Sequence, residues 1–566
     1  MYTASSAFLE ALVEAGVSHA FVNWGSDHPA LIEAIAEARA TGQAVARVIT
    51  CPNEMAALSA AHGFYQATGV AQAVIVHVEC GTQSLGGAVH NAAKGRIPVL
   101  IFAGASPFTQ EGELRGSRNE FIQWIQDVHD QRGLVRGYMR YDYELKTGRN
   151  VRQIVHRALQ FANSDPKGPV YLMGAREVME EEIPRAVANP ALYLAVAGCA
   201  LPASGVAAIG VALAAAERPL VVTSYLGRSA AAVAALTAFC RKHGVGVLES
   251  VPNYLNFPHT DALYQGNQWN QPVQNEALAS ADLVLVIDSD VPWISAVSRP
   301  AGNAVIFQID CDPLKEQMPL FQLAAAGVFR AEAATALAQL GELAAEDSKV
   351  TARLAHWAAL HAGRLARLEA LEAIPETEIT PEYLVARVRE LAGEEALFLN
   401  EGISNYHTVF NHLRLSEAGR IFTSGGGSLG WNGGAAFGVK LARPEKTVIA
   451  LTGDGSYMFS APSSVHWMAR QYGAPFVQII FNNRGWKSPK LSALAVHPAG
   501  FASRAENIDV ALDPPPDYAG IAAAAGGALA KTVKDPGELD DAIREALHAV
   551  REEGRAAVLD VWVAKL

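Results

Sequence analysis

Three successive blocks of apolar, strand-like runs predict an α/β protein built from three doubly wound parallel-sheet domains. Two features of the runs carry this reading: they are apolar at nearly every position, and they alternate with helix-like stretches. A strand without polar alternation is buried on both faces, and helices covering both faces of a parallel sheet create that environment. The third observation is length, because 566 residues exceed what one hydrophobic core supports.

The N-terminal stretch MYTASSAFLEALVEAGV reads as an amphipathic helix, and AFVNW (20–24) is strand-like before a helix starting near Pro29. AVIVHV (73–78), PVLIF (98–102) and PVYLM (169–173) complete the first block. The stretch 183–202 is Pro/Ala-rich and aperiodic, as a linker would be. PLVVTSY (219–225), GVLES (246–250), DLVLVID (282–288) and AVIFQID (304–310) form the second block. A second linker region, 342–380, holds the helical segment TARLAHWAALHAGRLARLEAL before the break IPETEITPEY. ALFLN (396–400), KTVIALTG (446–453), FVQIIFNN (476–483) and AAVLDVWV (556–563) make the third block. The expected domains are therefore 1–185, 195–345 and 375–566.

The chain is 50% hydrophobic and 18% charged, with a formal net charge of -12. That is a globular composition, and the acidity argues against general attraction to nucleic acid or anionic membrane. Cysteines 51, 80, 199, 240 and 311 are dispersed and show no CxxC or ligand spacing, so neither a disulfide framework nor a zinc site is expected. With no signal-peptide pattern and no membrane-length apolar run, the expected setting is cytoplasmic.

The most informative stretch runs from KTVIALTGDGSYMFS to FVQIIFNNRGW. Gly453-Asp454-Gly455 follows a strand, and 26 residues with one helix and one more strand separate it from Asn482-Asn483. Such a βαβ unit sets two strand ends side by side, where open α/β sheets bind ligands. A carboxylate and an amide oxygen there form a hard site suited to Mg²⁺ and phosphate. A sheet-edge turn with an unrelated NN loop is the plainer alternative. Upstream, Gly425, Gly427 and Gly430 satisfy GxGxxG, which leaves a nucleotide-binding reading open. Glu54 opens an otherwise apolar helix in TCPNEMAALSAAHGFYQATG, as either a partnered buried acid or an ordinary acid at a helix N-terminus.

Together the GDG…NN motif and the NEMAALSAAHGFYQATG segment resemble the thiamine-diphosphate-dependent enzymes, and the resemblance covers nearly the whole chain. It implies an N-terminal pyrimidine domain, a middle domain and a C-terminal diphosphate domain. By it, Asp454 and Asn483 are side-chain ligands of Mg²⁺ and Gly485 supplies a carbonyl, while Gly453, Gly455 and Ser456 also bind the cofactor. Gly427 accepts from its 4′-amino group, Leu429 imposes its bent conformation, and Glu54 bonds N1′ to promote proton loss at C2. The resemblance further implies a homodimer or homotetramer with active sites between subunits.

Two further resemblances bear on the substrate. Asn23-Trp24-Gly25-Ser26 looks like the NPGS segment of benzoylformate decarboxylase, which makes Ser26 a substrate contact. His77, 23 positions after Glu54, matches the spacing of an active-site histidine in that enzyme. Asp27 and His28 are either helix-capping residues or substrate contacts. His259, Asp261, Arg115, Arg118, Trp486 and Lys487 are weaker candidates. The organisation also looks like acetohydroxyacid synthase, although Cys80-Gly81-Thr82-Gln83-Ser84 replaces its GPGATN and FAD stays open. The expected activity is a 2-oxo acid decarboxylase or carboligase. A 2-hydroxyacyl(-CoA) lyase, a catalytically silent binding protein and a nicotinamide-dependent dehydrogenase are the alternatives.

Overall fold

The computed structural model describes residues 2–186 and 188–565. Among these, eighteen strands form three six-stranded sheets flanked by helices, and every strand pair within a sheet is parallel. The first sheet contains β1 (His19–Val22), β2 (Arg47–Thr50), β3 (Gln72–Val76), β4 (Val99–Ala105), β5 (Tyr141–Leu145) and β6 (Val170–Ala175). Its order is β2-β1-β3-β4-β6-β5. The second holds β7 (Pro219–Thr223), β8 (Gly246–Ser250), β9 (Tyr264–Gln268), β10 (Leu283–Ile287), β11 (Val305–Asp310) and β12 (Gly327–Arg330), ordered β12-β11-β10-β7-β8-β9. The third holds β13 (Leu397–Glu401), β14 (Ile421–Phe422), β15 (Val448–Gly453), β16 (Val477–Asn482), β17 (Leu529–Val533) and β18 (Ala557–Trp562), ordered β14-β13-β15-β16-β18-β17.

All the apolar runs singled out in the sequence lie in strands. Of the strands not singled out, β2, β5, β9, β12 and β17 are all sheet edges. Edge strands β12 and β17 alternate between exposed and half-buried positions over most of their length, whereas β9 is buried but polar in sequence. Edge strands therefore lack the continuous apolar signature of central ones.

Each sheet has a switch point where successive connections leave in opposite directions, and the crevice above it is where such sheets bind ligands. These points fall between β1 and β3, between β7 and β10, and between β13 and β15.

The first and third sheets are joined through helices Glu54–Thr68 and Asn432–Ala442. A Cβ at Gly438 would lie 2.0 Å from the Ala60 carbonyl oxygen, and one at Gly63 would lie 2.2 Å from that of Ala435. Only glycine permits this backbone approach. Helix Asp347–Leu371, in the second linker region, buttresses the middle sheet through fully buried Trp357. No helix among the described residues is long and apolar enough to cross a membrane.

Candidate active site

Strands β15 and β16 are neighbours with Gly453 opposite Phe481, so Asp454 and the asparagine pair emerge together. Asp454 is 3% exposed. Its Oδ1 accepts from the Gly455 N–H at 2.7 Å and its Oδ2 from the Gly485 N–H at 3.0 Å. Burial pushes its carboxyl up to about 6, against the pull of those donors. The two asparagines have different tasks. Asn482 donates to Asp560 at 2.8 Å and accepts from the Arg484 N–H, which ties it into the sheet. Asn483 Oδ1 and Ser456 Oγ are buried without a hydrogen-bond partner.

Buried polar atoms left unsatisfied are costly and point to a ligand. Both belong to residues lining a cavity of about 310 Å³ walled also by Leu429, Gly453, Asp454 and Gly485. A carboxylate, an amide oxygen and a hydroxyl converging there fit a hard cation such as Mg²⁺ and the phosphates it carries.

The glycine-rich loop 425–431 lies over this cavity, held from two directions. Glu401, at the end of β13, accepts N–H groups from Gly430 (2.8 Å), Trp431 (3.2 Å) and Asn432 (2.8 Å). Asn91, on helix Gly87–Lys94, donates to the Ser428 carbonyl at 2.8 Å and accepts from its N–H at 3.1 Å. His90 accepts from the Gly427 N–H. These contacts decide against the nucleotide reading of the three glycines. The helix N-terminus that would bind a pyrophosphate is already filled by the Glu401 carboxylate. Sequence reasoning missed Glu401, Asn91 and His90; an acid directly after an apolar strand was the available signal for the first.

A second group gathers over the β1/β3 switch point. Asn53, not Glu54, caps helix Glu54–Thr68, accepting from the Ala56 N–H at 2.9 Å. The half-buried Glu54 carboxyl is raised by burial, while its own backbone N–H and His77 pull the other way. Ser26 Oγ is buried without a partner. His77 Nδ1 lies 2.5 Å from Asp27 Oδ1, and the Val78 N–H donates to Asp27 Oδ2 at 3.0 Å. The helix-capping reading of Asp27 is thereby corrected. Helix Pro29–Thr41 starts without any side-chain cap, because the Asp27 carboxylate reaches across to the end of β3. Glu54, His77 and Ser26 do not line the cavity around Asp454.

The weaker candidates divide. Trp486 and Lys487 line the cavity. His259 Nε2 lies 3.1 Å from the buried Glu249 carboxyl, while Asp261 pairs with Arg241, Arg118 with Asp127 and Arg115 with Glu180. The β7/β10 switch point, where a dinucleotide such as FAD would sit, is filled by this chain's own side chains. Tyr225 donates to Asp310, Lys315 bridges Asp310 and Asp290, and the Arg96 guanidinium lies 4.0 Å over the Tyr225 ring. Those residues do not fit a flavin. In the buried group of Asp288, Asp310 and Cys311, Arg228 pairs with Asp288 and Lys315 with Asp310.

Comparison with known proteins agrees with this geometry. The N-terminal, central and C-terminal domain models of thiamine pyrophosphate enzymes match residues 2–134, 206–340 and 402–561. Benzoylformate decarboxylase from Pseudomonas aeruginosa is 26% identical over 505 residues, covering 85% of this chain and 86% of the relative. The acetolactate synthase large subunit of Lactococcus lactis is 22% identical, covering 85% and 80%. In fold, the chain resembles the crystal structure of benzoylformate decarboxylase from Polynucleobacter necessarius, with a TM-score of 0.80 at 18% identity over 100% and 99% of the two chains.

Proposed function

This chain belongs to the thiamine pyrophosphate enzyme family, and from that premise we propose that it is a Mg²⁺-dependent 2-oxo acid decarboxylase or carboligase. The observation that carries the proposal is the convergence of Asp454 with the partnerless Asn483 Oδ1 and Ser456 Oγ on one cavity. Asp454, Asn483 and the Gly485 carbonyl would hold Mg²⁺. Gly453, Gly455 and Ser456 would hold the diphosphate, and Gly427 with Leu429 the aminopyrimidine. Thiamine diphosphate, when bound, supplies the electron sink that bond changes next to a carbonyl require. Glu54 keeps a proton at its carboxyl more tightly than an exposed glutamate, which suits an acid–base group facing the pyrimidine ring. Ser26 orients the substrate carboxylate, and His77 holds and moves a proton at the reacting carbon.

On this reading residues 1–185, 195–345 and 375–566 are the pyrimidine, middle and diphosphate domains. The active site is shared between two copies of the chain. In its support, the Glu54 group lies off the wall of the Asp454 cavity. Phe121 and Ile125 also present an apolar face, at 75% and 71% exposure.

The test is native mass spectrometry with thiamine diphosphate and Mg²⁺, followed by CO₂ release from a panel of 2-oxo acids that includes benzoylformate. Bound cofactor with CO₂ release supports the proposal. Bound cofactor without release from any 2-oxo acid favours the 2-hydroxyacyl lyase, and no binding overturns the cofactor assignment.

A further inference from the structure

We propose that Asp27 is the positioning residue of the site's histidine: it holds the proton of His77 on Nδ1 and aims Nε2 into the cleft. The inference rests on the assignment of His77 to proton transfer above and adds the group that controls it.

The geometry is built for this pair. Asp27 leaves the end of β1 and His77 the end of β3, two neighbouring strands in which Val22 lies opposite Ile75. Asp27 is 3% exposed, whereas 22% of the His77 side chain reaches solvent. Oδ1 takes the imidazole Nδ1 at 2.5 Å, and the Val78 N–H fixes Oδ2 at 3.0 Å, so the carboxylate cannot swing away.

Space for the pair comes from two missing side chains. A Cβ at Gly104 would sit 1.8 Å from Asp27 Oδ2, and one at Gly25 would sit 1.9 Å from His77 Nδ1. The Ala103-Gly104-Ala105-Ser106 segment therefore acquires a role that its sequence did not announce.

His28, the other imidazole beside Asp27, does not compete for the role. The Gly25 N–H donates to its Nδ1, so that nitrogen carries no proton, and burial holds its pKa down. His28 Nε2 lies 3.3 Å from Asp27 Oδ2, against 2.5 Å for the His77 bond to Oδ1, so His77 makes the closer contact. The groups facing His77 are Asp27, His28, the Gln126 amide and Glu54. The bond to Asp27 raises the His77 pKa most, against burial. An aspartate that fixes tautomer and basicity in this way acts through the histidine and need not touch substrate.

The test reads His77 itself, through the pH dependence of deuterium exchange at its Cε1–H, followed by peptide mass spectrometry of the full-length protein. The wild-type midpoint should lie above that of a free histidine. Asp27→Asn should lower it by about one pH unit or more, and Gly104→Ala, which displaces the carboxylate from the other side, should do the same. In turnover, Asp27→Asn should lower kcat about ten- to a hundred-fold with a smaller change in KM, and should shift the pH profile in parallel. A wild-type midpoint at or below the free value overturns the proposal whether or not either variant folds. An unmoved midpoint in a folded variant does so as well. If the midpoints shift as expected while the wild type releases no CO₂ from any 2-oxo acid, the pairing stands and the decarboxylase reading fails.

Discussion

The Glu401 carboxylate accepts the Gly430 N–H at 2.8 Å, which ties the end of β13 to the loop carrying Gly427 and Leu429. Glu401 holds two more N–H groups of the same turn, and removing it strands three donors in a buried place. Glu401→Ala should cost about 2–4 kcal/mol of stability in denaturant unfolding. Glu401→Gln keeps an acceptor in place and should cost less. Both should weaken thiamine diphosphate binding in a fluorescence titration, because the loop loses its anchor.

The asparagine pair should separate into two phenotypes. Asn483→Ala removes the partnerless oxygen beside Asp454 and should lower Mg²⁺ and cofactor retention by more than about ten-fold, with little effect on unfolding. Asn482→Ala breaks the bond to Asp560 and should instead lower the unfolding midpoint. Isothermal titration and thermal unfolding on the two variants distinguish these outcomes.

Glu54 predicts a pH-dependent stability difference. Its folded-state pKa is raised, chiefly by burial, so its contribution to stability is fully present below the unfolded glutamate pKa. That contribution is lost as pH rises through the folded value. Glu54→Gln carries no such loss. The cofactor-free variant should therefore melt higher than the wild type at pH 7 to 8, with the gap closing below about pH 4. Melting curves across that range check the sign, and C2 proton exchange of bound thiamine diphosphate should be abolished in the same variant.

The exposed face around helix Ile122–Ile125 should be covered in the active assembly. Replacing Phe121 and Ile125 together by glutamate should shift sedimentation toward the single chain and abolish CO₂ release. Mixing a Glu54→Gln protein with an Asp454→Ala protein, each inactive by itself, gives a second, independent readout of shared active sites through recovery of activity.

Much of the architecture was legible because central parallel strands are buried on both faces and advertise it as unbroken apolar runs. The edge strands were not, since β12 and β17 alternate in burial and β9 is polar. Asp454, Ser456 and Asn483 were legible because one βαβ unit brings them together across a short, fixed separation. Glu401, Asn91 and the second role of Asp27 were hidden. Their partners lie far off in sequence, as with Asn91 and Ser428, 337 positions apart.

The sequence by itself determined the three-sheet α/β class, the placement of Asp454, Ser456 and Asn483 on one βαβ unit and the resemblance to thiamine-diphosphate enzymes. Local spacing and hydrophobic pattern suffice for those, because each depends on neighbours within one supersecondary unit. Tertiary structure alone decided that Asn483 and not Asn482 is left free, that Glu401 occupies the helix end a nucleotide would need, and that Asp27 faces His77. Those outcomes depend on which strand ends meet over a switch point. That is set by the packing of whole sheets and cannot be read from any single stretch of chain.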